Sequence, residues 1–167
     1  ISKPIKAAVV SAREEASAIG VEIMKNGGTA FDAMIATDLA LSVCFPNAGN
    51  ISGGGFLLYR TASGDVGSLD YREKAPIAAS ADMYLDIDGN VIPDKSTIGG
   101  LAIGVPGTVA GLAAIHKKFG TLPWKDLIQP AIDLAENGYI ITEKQENSIN
   151  ACLLYTSPSP RDVLRSR

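Results

Sequence analysis

The stretch from Thr29 to Val43 constrains this chain more than any other. Thr29 and Asp32 have the spacing of a capping box, in which a hydroxyl and a carboxylate each close the other's backbone N–H at a helix start. From there to Val43 the residues (AFDAMIATDLALSV) are apolar on nearly every side of a helix. A surface helix carries a single apolar stripe, whereas one apolar all round must be covered on most sides. A chain of 167 residues is long enough to supply that cover. Asp38 interrupts the apolar helix on the side of Phe31, Met34 and Ile35. A carboxylate there needs hydrogen-bonding partners. It is either tied to a neighbouring loop or helix end, or part of a site.

The flanking segments read as helices and a hairpin. Lys6 to Ser11 (KAAVVS) has the pattern of a short buried strand, and Ser11 with Glu14 offers capping-box spacing for a first helix. Ala16, Ile19, Gly20, Ile23 and Met24 form its apolar face, and Gly27-Gly28 closes it. Phe45 to Gly55 is a glycine-rich loop. Phe56 to Arg60 and Val66 to Tyr71 read as two strands joined by a turn containing Gly64, the second ended by Pro76. Ala79 to Ile98 reads mostly as loop, with turns at Asp88-Gly89-Asn90 and Pro93-Asp94. A helix carrying Val109, Leu112, Ala113 and His116 follows Pro106-Gly107 and closes at Gly120. Pro123 suits the first turn of the next helix, where Trp124, Leu127 and Ile128 face inward and Pro130 restarts or kinks the run. Thr142 and Gln145 mark a last helix.

Composition removes several functions. The formal net charge is −3, so no basic surface is advertised for nucleic acid. One histidine and two unpatterned cysteines, Cys44 and Cys152, leave no zinc set, and no metal or cofactor is expected. Cys44 lies in an apolar run and reads as a small buried hydrophobe. The longest weakly polar run, Ala33 to Phe45, is too short to span a bilayer.

Three features could carry chemistry. The glycines Gly49, Gly53, Gly54 and Gly55 lack the Lys-Ser/Thr of a phosphate loop and precede a strand, unlike a dinucleotide fingerprint. They fit a turn that lets backbones pass closely. Arg72, at the end of the second strand, presents a planar fork suited to a carboxylate. Asp70 and Glu73 flank it, so on the residues alone a surface ion-pair cluster is the plainer reading. His116 has no Ser and Asp partners to complete a triad and reads as a histidine at the edge of the core.

Three segments in order, GVEIMKNGGTAFDAMIA from Gly20, GNISGGGFLLY leading into LDYREKAP, and VPGTVAGLAAIHKKFGTLPWKDLIQPAIDLAENG from Val105, resemble the γ-glutamyltransferase family. The likeness covers about residues 5 to 150. It implies an α/β (α+β) fold, the αββα sandwich of N-terminal nucleophile hydrolases, incomplete here. It also implies a precursor that cleaves itself into large and small subunits. The Thr heading the small subunit would take the γ-glutamyl group of glutathione or a related amide and pass it to water, an amino acid or a peptide.

In that likeness Arg72 matches the arginine that grips the glutamyl α-carboxylate, and it is the one substrate-binding position carried over. No catalytic residue carries over: the family nucleophile stands in a Thr-Thr-His-like stretch, and no Thr-Thr pair occurs here. The chain is thus expected to be the front part of a large subunit, inactive alone, with the small subunit as its partner. The glycine loop reads Asn-Ile-Ser-Gly-Gly-Gly, where members often have one more glycine. Relatives acting on β-lactam side chains or poly-γ-glutamate, and a non-catalytic relic domain, are the alternatives. Residues 1–150 are read as family sequence. Residues 151–167 (ACLLYTSPSPRDVLRSR) are read as a non-native or disordered tail with the look of a translated adapter or cloning remnant. A periplasmic or extracellular location is expected from the resemblance.

Overall fold

The computed structural model describes residues 7–49 and 51–153. Five helices, α1 (Glu14–Lys25), α2 (Ala30–Cys44), α3 (Thr108–Phe119), α4 (Trp124–Asn137) and α5 (Glu143–Leu153), accompany one hairpin, β1 (Phe56–Arg60) and β2 (Val66–Asp70). The fold is mixed α+β, and α2 is its centre. It packs on α1, α3 and α4, and Asp32, Ala33, Ile35, Ala36, Thr37, Leu39, Ala40 and Cys44 are all buried. The all-round apolar sequence of α2 therefore ends where its composition requires. Ile35 and Leu39 meet Leu112 and Ile115 of α3 and Leu127 and Ala131 of α4 in one core cluster. Phe31 and Phe119 stack with ring centroids 4.1 Å apart, and Tyr59 of β1 sits edge-on to both.

The start of α2 is tied down from two sides. The Thr29–Asp32 capping box is formed, and Asp32 also accepts from the backbone N–H of Thr121 and Leu122 and from the Thr121 hydroxyl. That joins the N-terminus of α2 to the α3–α4 turn, 89 residues away. Burial pushes the Asp32 carboxyl upward, yet hydrogen bonds from Thr121 and Thr29 outweigh it and hold the pKa at about 2.

Several local expectations are corrected. Residues 7–11 form no strand, and Val10 is 92% exposed; a strand needs a hydrogen-bonded neighbour, and none of the described residues supplies one. Lys6 and residues 154–167 of the expected tail lie outside the described residues, whereas residues 151–153 belong to α5. Ser11 does not cap α1, because its hydroxyl bonds instead to the Arg13 carbonyl and the Ser17 hydroxyl, and Arg13 holds the N-cap position. The Arg13 side chain makes no capping bond; it pairs with Glu15 at 2.7 Å and donates to the Ile140 carbonyl. Pro123 stands one position earlier than expected, at the N-cap of α4, and Pro130 lies inside α4 without restarting it. The Thr142–Gln145 box is formed, and Gln145 also donates to the buried Cys44 carbonyl.

The hairpin pairs antiparallel with Phe56 opposite Asp70 and Arg60 opposite Val66. Leu57, Tyr59, Leu69 and Tyr71 turn toward the helices. The opposite face carries Phe56, Leu58 and Val66, all exposed. The connection from Ile77 to Val105 is mostly irregular, with one turn of 3₁₀ helix at Gly100–Ala102. No helix among the described residues is long and apolar enough to cross a membrane.

Candidate functional site

Arg72 follows β2 directly, where the chain leaves the hairpin and enters a narrow passage. On one side lies the glycine loop, on the other the approach to α3. Lys74 and Val105 exchange two backbone hydrogen bonds, of 3.1 and 2.7 Å. The Gly53 carbonyl accepts from the N–H groups of Gly107 and Thr108 at 2.8 and 3.0 Å. Tyr71 donates its N–H to Gly55. The backbone from Tyr71 to Lys74 is thus enclosed by partners from two separate segments.

The side chain of Arg72 is free to act. It is 62% exposed, and among the described residues only its Nε is engaged, donating to Glu73 at 3.2 Å. Its guanidinium lies 5.7 Å over the Phe56 ring. Among the described residues neither terminal nitrogen has a hydrogen-bond acceptor, so the two-pronged end of the fork is available to a carboxylate. A cavity of about 290 Å³ opens beside it, walled by Tyr71, Lys74, Val105 and the first turns of α3. The ion-pair cluster that the sequence left open is therefore partial: Glu73 joins Arg72, whereas Asp70 instead accepts from the Arg72 backbone N–H at 2.9 Å.

The other candidates separate from this site. Asp38 is half-buried between two cavities, one of about 240 Å³ shared with the glycine loop, Glu73 and Thr108. It has no hydrogen bond to any described residue, so the expected loop or helix-end partner is not found there. Burial pushes its carboxyl above the usual range, and burial followed by the Asp38 charge pushes the Tyr71 phenol up. His116 is structural: its Nε2 bonds with the Leu122 carbonyl at 2.8 Å, and its ring meets Trp124 edge-on. Cys44 is fully buried, as its apolar setting implied. Among the described residues no group of histidine, cysteine and carboxylate side chains could hold a metal.

Sequence reasoning overlooked Tyr71, whose ring packs on Gly55 and Gly111 and whose backbone leads into Arg72. Its one signal was the strand alternation, which points position 71 inward with Leu69.

The hairpin laid on a buried helix belongs to a fold shared with solved transpeptidases. The Helicobacter pylori γ-glutamyltranspeptidase structure superposes with a TM-score of 0.84 at 47% identity, covering 90% of this chain and 43% of that one. The gamma-glutamyltranspeptidase family model matches residues 16–164, and the chain belongs to that family. The glutathione hydrolase proenzyme of a Pseudomonas species is 53% identical over 135 residues, which is 81% of this chain and 24% of the relative. That of Escherichia coli is 45% identical over 135 residues, again 81% of this chain and 23% of the relative. The chain thus spans about a quarter of the length of the curated relatives it matches.

Proposed function

We propose that this chain is the front part of the large subunit of a γ-glutamyl hydrolase/transferase, and that its contribution to the reaction is to hold the substrate's α-carboxylate through Arg72. The carrying observation is the state of Arg72, with its backbone enclosed, its Nε turned to Glu73 and its two terminal nitrogens without acceptors among the described residues. A planar guanidinium held in this way offers two parallel hydrogen bonds to a carboxylate.

In this reading the acyl donor is glutathione or another γ-glutamyl amide. A Thr at the head of a small subunit, outside this chain, attacks the γ-carbonyl while its own α-amine takes the hydroxyl proton. The amine leaving group departs protonated, and water or an amino acid acceptor then cleaves the ester. Arg72 fixes the far end of the glutamyl group, so that the reacting carbonyl is presented in one place. The chain alone lacks the nucleophile and turns nothing over.

The same reading supplies a second sheet, from the small subunit, to complete an αββα sandwich. The exposed outer face of the hairpin supports it, since Leu58 is 83% and Val66 75% exposed, and apolar patches of this kind mark surfaces that another element covers. A periplasmic or extracellular site of action belongs to the proposal as well, and cell fractionation tests it.

The deciding experiment uses the full-length enzyme and γ-glutamyl p-nitroanilide. Arg72→Ala is expected to lower kcat/KM roughly 100-fold through lost charge-assisted hydrogen bonds, with Arg72→Lys intermediate because an ammonium cannot bind both oxygens in parallel. A wild-type KM in Arg72→Ala would overturn the assignment.

A further inference from the structure

Two glycines flank Arg72 for a reason that turn geometry does not explain. Gly107 has φ of −114°, and Gly54 is not among the positive-φ glycines, so neither needs the left-handed backbone that only glycine adopts cheaply. What both need is space. A Cβ on Gly54 would lie 2.7 Å from the Arg72 Cα, the Glu73 nitrogen and the Tyr71 carbonyl oxygen. A Cβ on Gly107 would run into the Tyr71 carbonyl oxygen and reach 3.0 Å from that of Arg72. By contrast, Gly89, Gly99 and Gly100 have nothing within 4 Å of an added Cβ.

The two glycines come from opposite walls of the passage, and the walls are joined. Gly53 O accepts the N–H groups of Gly107 and Thr108, so neither wall can back away without breaking hydrogen bonds at the start of α3. Every atom that an added methyl group would strike at under 3.0 Å is backbone of residues 71–73, which cannot rotate aside as a side-chain tip would. With those hydrogen bonds kept, the relief is movement of the Arg72 main chain. The guanidinium sits at the end of a long side chain, so a small rotation at Cα displaces the fork by more than the backbone itself moves.

We propose that Gly54 and Gly107 are positioning residues that set where the Arg72 fork stands, and that they thereby determine how strongly the enzyme prefers acyl donors bearing an α-carboxylate. The proposal rests on the reading of Arg72 as the carboxylate ligand. The glycine loop is then part of the specificity apparatus, acting by letting two segments close on one backbone.

The test compares two anilide donors in the full-length enzyme, γ-glutamyl p-nitroanilide and the same compound with its α-carboxylate replaced by a carboxamide. The readout is the ratio of their kcat/KM values. General damage lowers both donors together and leaves the ratio intact, whereas a displaced fork lowers only the carboxylate donor. Displacement on the scale of an ångström costs roughly 100-fold where geometry governs binding. Gly54→Ala and Gly107→Ala are each expected to reduce the ratio at least about tenfold, and Gly100→Ala, with open space, to leave it unchanged.

If Arg72→Ala leaves the ratio at the wild-type value, the carboxylate reading itself fails. If Arg72→Ala collapses the ratio but both glycine variants preserve it, the positioning proposal alone is overturned. A second measurement needs no variant. In the wild-type enzyme, saturating glutamate is expected to slow amide exchange at Gly107 and Thr108, because filling the fork stiffens the passage; unchanged exchange there refutes the proposal.

Discussion

Asp32 offers a quantitative test of how this fold is held. Its carboxylate is fully buried and receives five donors: the Thr29 N–H and hydroxyl, the Thr121 N–H and hydroxyl, and the Leu122 N–H. The folded pKa of about 2 stands below the ordinary 3.8. At about 1.4 kcal/mol per unit, that difference amounts to about 2 kcal/mol of stability present only while the group is ionised. The carboxyl is depressed in the folded state, so the contribution is complete above the unfolded pKa and disappears as pH falls through the folded one.

Asp32→Asn removes the charge and turns an NH₂ group toward donors, at a cost of about 3 kcal/mol at neutral pH. Urea unfolding followed by circular dichroism, on wild type and variant between pH 6 and pH 2, isolates this one group, since every other carboxylate is common to both. The gap between the two proteins is expected to stay constant down to about pH 5 and then to narrow by about 2 kcal/mol as pH approaches 2. A gap that stays constant over the whole range, or a carboxyl carbon resonance that titrates near 3.8, would refute the reasoning.

Asp38 should behave in the opposite sense. Burial raises its pKa, so the ionised form costs stability above the ordinary carboxylate range; Asp38→Asn should raise the urea midpoint at neutral pH, with the gain vanishing as the solution becomes acid. An unchanged midpoint would mean that the group is solvated. Leu112→Ala, at a fully buried position facing α2, should cost about 3 kcal/mol in the same assay. A loss below about 1 kcal/mol would show that the core collapses to fill the gap.

Much of the fold around the candidate site was legible in the sequence because it depends on local rules. The capping boxes at Thr29 and Thr142 follow from side chains reaching three residues along their own helix, and the hairpin from two short runs around a glycine turn. The buried α2 follows from the absence of any polar face. Arg72 stood out through the chemistry of its side chain and a motif of adjacent residues. Where these local signals were read too literally they failed. Ser11 had the spacing of a cap, but its hydroxyl bonds to the Arg13 carbonyl and the Ser17 hydroxyl, and Arg13 stands at the N-cap. Lys6 to Ser11 had the pattern of a strand, but hydrogen-bonded neighbours make a strand, and residues 7–11 have none among the described residues.

The sequence by itself thus determined which helices form, which one is central, and where an arginine follows the hairpin. Only the tertiary structure decided that Asp32 joins α2 to the α3–α4 turn, that Asp38 stands without a described partner, and that Gly54 and Gly107 close on the backbone of Arg72. Each of those depends on atoms brought together from separate parts of the chain, and a local pattern carries no record of a distance it does not itself span.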